Sequence, residues 1–249
     1  MGIIWKAICI RIKLYMNLQL PLTLGLKDSA VFANFIAGAN SEILSFLQTY
    51  PSNKSAPLVY LWGEPGCGKT HLLQALCQTA SERGESAVYL PMHMVSEFPC
   101  EALLGLEQTA LICIDDVDAV AGSVDWEDAL LRLYVRAHES GCALAVAGNN
   151  MIGELGLKLP QLASRLQWGM VFQVKSLTED DKLTALELRA KRRGAKLPPE
   201  SARYLLKHYG ADSGQLFDAL DRLDKASLAA KRRLTIPFIR SVLVPSDDA

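Results

Sequence analysis

The sequence has 249 residues, half of them hydrophobic and 21% charged, with a formal net charge of −1. That length suits one large domain or one with a smaller companion, and the balance is that of an ordinary globular chain. A charge so near zero excludes a global field drawing the chain to nucleic acid or to an anionic membrane. The six cysteines contain no Cys-x-x-Cys, and the four histidines contain no His-Glu-x-x-His, which speaks against a disulfide framework and a zinc site.

The first fifteen residues, from Met1 to Tyr15, are basic and apolar. Lys6, Arg11 and Lys13 interrupt the apolar stretch and no small-residue cleavage site follows, so a secretory signal is not expected. No run is long enough to span a bilayer. Met16 is the expected true start, which makes 1–16 an artefactual or disordered extension, and 17–26 a linker. Residues 41–49 carry an amphipathic helical pattern, and Pro51–Pro57 is a turn-rich break. Strand-like runs then fall at 58–62, 87–90, 110–114, 143–147 and 170–174. Helical patterns fall at 69–82, 126–139 and 160–166. This alternation predicts an α/β domain over 27–176, a parallel sheet flanked by helices. From 177 the strands stop. Thr178 followed by Glu179, Asp180 and Asp181 reads as a helix start. Helical stretches near 179–193, 199–209, 213–230 and 236–243 predict a small all-α domain over 177–249. Cys113 and Cys142 lie in apolar runs and read as small core residues, a reduced usage that fits the cytoplasm.

Chemistry concentrates after the 58–62 strand. Gly63-Glu64-Pro65-Gly66-Cys67-Gly68-Lys69-Thr70 is a complete G-x-x-x-x-G-K-[ST] phosphate loop, followed by His71 and an apolar helical pattern. Its glycines let successive backbone N–H groups face an anion. Lys69 is placed for the β/γ-phosphates and the Thr70 hydroxyl for Mg²⁺. A chance glycine-rich turn is the bland alternative; the strand–loop–helix order argues against it. Downstream, Leu111-Ile112-Cys113-Ile114 ends in Asp115 and Asp116. Carboxylates at the C-terminal edge of a parallel sheet suit a metal ligand, Asp115, and a general base, Asp116. The apolar strand at 143–147 leads into Asn149, an amide able to orient a water, although such a pair usually just makes a turn. The helix at 160–166 carries Arg165, by default a solvated cation. Basic clusters at Arg189–Arg193 and Lys231–Arg233 could form a DNA patch, but both sit at helix ends, where cations complement the helix dipole, and a solvated face is expected.

Taken together, the phosphate loop, the Asp-Asp strand, Asn149 and Leu162-Ala163-Ser164-Arg165-Leu166 resemble the DnaA/Hda family of AAA+ P-loop NTPases. The resemblance covers roughly 17–245 and lies closest to the short paralogues that inactivate the DnaA initiator after replication begins. It implies an AAA+ α/β domain with a C-terminal helical lid, and ADP or ATP with Mg²⁺ as cofactors. Phe35, within Phe32-Ala33-Asn34-Phe35-Ile36-Ala37-Gly38, matches the element that packs by the adenine, with His71 on the same nucleotide. Asn149 matches sensor 1, and Arg165 matches the arginine finger offered in trans. Gln19-Leu20-Pro21-Leu22-Thr23-Leu24 resembles the peptide that docks on the DNA polymerase sliding clamp, with Gln19, Leu20, Leu22 and Leu24 as its contacts. The implied partners are DnaA, the clamp, DNA indirectly through the clamp, and a second copy of the chain. The implied function is stimulation of DnaA-bound ATP hydrolysis with weak intrinsic ATPase; the alternative is a stand-alone ATPase or helicase-loader-like motor. Two departures stand out. Gly214 occupies the position where the family carries its sensor 2 arginine, leaving Arg222 as the nearest other cation. Asp116 stands where many AAA+ proteins place Glu.

Overall fold

The structure, a computed structural model, describes residues 30–50, 58–95, 99–210, 213–230 and 232–243. The clamp-like peptide Gln19–Leu24 and the extension before it lie outside the described residues. β1 (Leu58–Trp62), β2 (Ala87–Pro91), β3 (Leu111–Asp115), β4 (Ala143–Gly148) and β5 (Met170–Gln173) form one sheet in the order β2-β3-β4-β1-β5. Every pairing is parallel. β3 and β4 are buried along their whole length and β1 along all but its last residue, which is why their sequences run apolar without alternation. The register sets Trp62 beside Gly148 and Pro91 beside Asp115. Whatever follows β1, β3 and β4 therefore emerges along one sheet edge.

Helices α1 (Ser41–Thr49), α2 (Lys69–Glu82), α3 (Val124–Ser140) and α4 (Pro160–Gln167) accompany the sheet. α1 sets the Phe46 ring 5.1 Å from that of Phe172, and just past it Tyr50 Oη donates to the Leu144 carbonyl at 2.7 Å. α2 buries Leu72, Leu73, Ala75, Leu76, Cys77 and Ala80. α3 ends on Gly141 in the left-handed region, a standard helix stop. α4 begins with Pro160 in its first turn, where a missing N–H costs nothing, and anchors through Leu162 and Leu166.

The lid helices are α5 (Glu179–Arg192), α6 (Pro199–Tyr209), α7 (Ser213–Ala230) and α8 (Ile236–Leu243). Their own core gathers Leu186, Leu205, Leu216, Leu220 and Ile239. Thr178 caps α5 as its sequence implied: Asp181 N–H donates to Thr178 Oγ1 and Thr178 N–H donates back to the Asp181 carboxylate, both at 3.2 Å. The expected solvated cluster at 189–193 is partly drawn inward. The Arg189 guanidinium stacks 3.8 Å from the Phe217 ring centroid, and Arg193 pairs with Asp221 at 2.6 Å. The carboxylates that claim Arg193 come from α7, which the helix-end reading did not consider. The described residues divide into two compact units. One comprises those up to Phe35, those between Glu42 and Gly63, and those between Lys69 and Val174; the other comprises Ile36–Ser41, Glu64–Gly68 and those from Lys175 onward. Within the second unit, Asn40 exchanges two hydrogen bonds with the Lys175 backbone, at 2.9 and 2.8 Å.

The turn from α4 into β5 depends on Gly169, where an added Cβ would lie 2.5 Å from the Leu58 carbonyl oxygen. Backbone cannot yield as a flexible side chain can. Gly169→Ala should therefore cost about 1–3 kcal/mol of stability, the usual range for overpacking. Urea unfolding checks this, and a change within experimental error would count against the close approach.

Candidate functional site

The site begins with the glycines of the loop after β1. Gly66 and Gly68 have φ of 77° and 107°, a backbone that L side chains rarely adopt. Cys67 N–H closes a turn onto the Glu64 carbonyl at 3.3 Å, and Cys67 itself is buried. The Glu64 carboxylate accepts from Ser176 Oγ at 3.3 Å.

At the first turn of α2, Lys69 is only 6% exposed. Its ammonium donates to the Gly63 carbonyl at 2.7 Å and to Asn149 Oδ1 at 3.2 Å. Lys69 and Asn149 are thus brought together although 80 residues apart in sequence. Asn149 is itself pinned, because its backbone N–H donates to both carboxylate oxygens of Asp118, at 3.0 and 2.8 Å. Gly148 makes room for this: a Cβ there would meet Tyr60 Oη at 2.5 Å and Asp118 Oδ2 at 3.3 Å.

Asp115, at the end of β3, is 1% exposed. Burial pushes its carboxyl above the usual aspartate range. Hydrogen bonds from the Tyr89 and Thr70 hydroxyls work in the opposite direction, Tyr89 Oη donating at 2.7 Å. The structure therefore joins Thr70 and Asp115, the two residues read as Mg²⁺ ligands. A desolvated carboxylate touching a hydroxyl is a donor set that fits a hard divalent cation, whose charge would offset the cost of burying the anion. Lys69 and the loop amides fit a polyphosphate by the same reasoning.

Asp116 behaves differently. It has φ 54° and ψ 48°, a left-handed conformation uncommon outside glycine. Its side chain is 38% exposed and lies 2.9 Å from His93 Nδ1. His93 sits in the helical turn Met92–Val95 just after β2, the strand that pairs with β3. On the other side of the site, the Phe35 and His71 rings lie 5.6 Å apart, and His71 Nε2 is 3.0 Å from the Val31 carbonyl.

Arg165, on α4, does not join this cluster. Its guanidinium lies 4.2 Å from the Trp168 ring centroid and 6.0 Å from that of Tyr134. Glu127 of α3, fully buried, holds the approach to α4 by accepting from the N–H groups of Gly122, Lys158 and Leu159 at 2.7, 3.0 and 2.7 Å. Gly214 stands in the first turn of α7, and Arg222 reaches the Val242 carbonyl of α8 at 3.5 Å. Tyr89, His93, Asp118 and Glu127 escaped the sequence reading. The paired register of β2 and β3 was the one signal pointing to the first two.

A family model for the bacterial DnaA ATPase domain matches residues 26–173. The chain belongs to the Hda/DnaA family of AAA+ proteins. A second model, the Hda lid domain, matches residues 179–243. Among solved structures, domain III of Thermotoga maritima DnaA is similar with a TM-score of 0.72 at 18% identity, over 87% of this chain and 96% of that one. AMPPCP-bound DnaA from Aquifex aeolicus follows at 0.66 and 20%, over 84% and 69%. The Thermotoga maritima RuvB Holliday junction branch migration motor reaches 0.58 at 16%, over 81% and 67%. These likenesses establish the AAA+ fold, and with the two family matches they make the chain a DnaA-related replication protein. Among the described residues no helix is long and apolar enough to cross a membrane.

Two outcomes follow from the local electrostatics. A raised folded-state pKa means that Asp115 costs no stability below about pH 4, where both states are protonated, and costs most above its folded value. Asp115→Asn should therefore raise the Tm at pH 7. A lowered Tm in a thermal melt would contradict the desolvation argument. Glu127→Ala removes the buried acceptor of three partly buried N–H groups and should cost about 1–3 kcal/mol in urea unfolding. A loss under about 0.5 kcal/mol, the range of ordinary surface changes, would refute the anchoring role.

Proposed function

We propose that this chain is a nucleotide-bound regulator of bacterial replication initiation that docks on the sliding clamp and stimulates hydrolysis of DnaA-bound ATP. The observation that carries the reading is the joining of a DnaA-type ATPase domain, 26–173, to an Hda-type lid, 179–243. In this reading ADP or ATP sits on the loop Gly63–Thr70, with the ring of Phe35 beside the adenine. Mg²⁺, when bound by Thr70 and Asp115, neutralises phosphate charge. Lys69 holds the β/γ end of the nucleotide and Asn149 holds Lys69. Asp116, shorter than Glu and engaged by His93, makes a poor base for a water, which supports slow intrinsic turnover. The nucleotide is then an effector that shapes the protein.

Arg165 acts in a partner's site. Fixed positive charge set against the oxygens of a transferring phosphoryl group lowers the barrier without chemistry of its own. Among the described residues Arg165 forms no ion pair and rests on aromatic faces instead, which suits a charge offered to a partner. Gln19, Leu20, Leu22 and Leu24 take the chain to the clamp, and through it to DNA. A second copy and a cytoplasmic setting belong to the same reading. The complete phosphate loop with Asp115 and Asp116 favours one alternative, a stand-alone ATPase or helicase-loader-like motor.

The deciding assay follows hydrolysis of DnaA-bound ATP with DNA-loaded clamp. Arg165→Ala should lower the stimulated rate by about 10³-fold or more, the scale of a trans arginine. Wild-type stimulation by that variant would sink the assignment. Removing residues 17–24 should abolish clamp binding. The motor reading predicts appreciable turnover by the chain alone that collapses with Lys69→Ala.

A further inference from the structure

Trp168 is the feature the proposed function leaves unexplained. It is 66% exposed, and an aromatic ring with an apolar body and a polar N–H left open to water is the kind of side chain that contact surfaces favour. Its ring is the nearer of the two aromatic faces against the Arg165 guanidinium, at 4.2 Å from the centroid. The backbone that carries the ring is tied down. The Trp168 backbone N–H donates to the Arg165 carbonyl at 3.1 Å, closing the last turn of α4. The next residue, Gly169, packs so near the Leu58 backbone that an added Cβ would lie 2.5 Å from its carbonyl oxygen. Upstream, Leu162 and Leu166 are buried and seat α4 on the core, while Tyr134 is held by α3 at 7% exposure. A long, flexible cation thus rests on an aromatic platform, and among the described residues it forms no ion pair with a carboxylate.

We propose that Trp168 is a positioning residue for Arg165. Its ring, with that of Tyr134 farther off, holds the guanidinium in one orientation and leaves its charge available for the phosphoryl oxygens of a nucleotide carried by another protein. The proposal rests on the trans role of Arg165 and adds the means by which that arginine is held. Cation–π stacking suits the task better than an ion pair would. It restricts the rotamers of the side chain, yet the opposite face and the outward N–H groups remain available. An ion pair would cancel the charge the partner's site requires. An exposed aromatic beside an arginine is also the composition of interface hot spots, so docking would desolvate the pair and strengthen the contact.

The experiment measures stimulated hydrolysis of DnaA-bound ATP, titrating the full-length chain in the presence of DNA-loaded clamp. Trp168→Ala should lower the maximal rate by about tenfold, since small misplacement of a catalytic group is costly. The half-saturating concentration should change less than the maximal rate. Trp168→Phe, which keeps an aromatic face, should restore most of the rate. Unchanged thermal melts for both variants establish that folding is intact, as the exposure of the ring implies. Arg165→Ala runs alongside. If Arg165→Ala abolishes stimulation and Trp168→Ala does not lower the maximal rate, the platform is refuted and the trans arginine stands. If Trp168→Ala raises only the half-saturating concentration, the ring serves docking and the positioning role is likewise refuted. If Arg165→Ala stimulates as well as wild type, the underlying trans reading fails and the platform falls with it.

Discussion

A buried ammonium must be matched by oxygen atoms, and the organisation of this AAA+ domain can be read outward from that requirement at Lys69. The lysine is placed by a loop whose glycine conformations reverse the chain between β1 and α2. Its matching oxygens include the Gly63 carbonyl at the end of β1 and the Asn149 amide just past β4. Because β1 and β4 are paired in parallel with Trp62 beside Gly148, both oxygens arrive at the same sheet edge. The strand order therefore follows from more than apolar burial. It is also what brings both oxygens to the one lysine that the proposed reading sets against a phosphate.

The same edge holds a second expensive group. Asp115 is buried and its carboxyl is pushed up by desolvation, while Tyr89 and Thr70 hydrogen bonds repay part of the cost. In the proposed reading a cation at Thr70 and Asp115 would relieve the buried charge, so such a site would gain most when its ligand arrives. The neighbouring Asp116 is spared this burial. It turns into the left-handed region, opens to solvent and meets His93. Two adjacent carboxylates thus have opposite environments, one suited to holding a cation and the other poorly suited to activating water. That contrast fits the proposed division of labour, in which this chain retains its nucleotide and provokes hydrolysis elsewhere.

Most of the fold was legible because the chain signals locally. The helices at 41–49, 69–82, 199–209, 213–230 and 236–243 keep their predicted bounds, since each is marked by periodicity and by a break, cap or proline at its edge. The phosphate loop and Asp115 were legible because a motif prescribes their neighbourhood. What stayed hidden are interactions whose partners are distant in sequence. Nothing near Glu127 reveals that it will accept hydrogen bonds from Lys158 and Leu159, and nothing near Asp118 reveals its hold on Asn149. Likewise Arg189 and Arg193 looked like a solvated helix end until α7 supplied Phe217 and Asp221. The stacking of Trp168 on Arg165 lies between these cases: the two are three residues apart at one helix end, but sequence spacing does not fix the rotamers that bring the guanidinium over the ring.

The most direct measurement follows the fate of two nucleotides in one reaction. DnaA is loaded with ATP labelled at the γ-phosphate, this chain with ATP carrying a different γ label, and both are combined on DNA-loaded clamp. The expected result is rapid loss of label from DnaA, while label on this chain is lost no faster than in the chain alone. Rapid loss from this chain, with the label on DnaA retained, would contradict the proposed role and identify the protein as a motor.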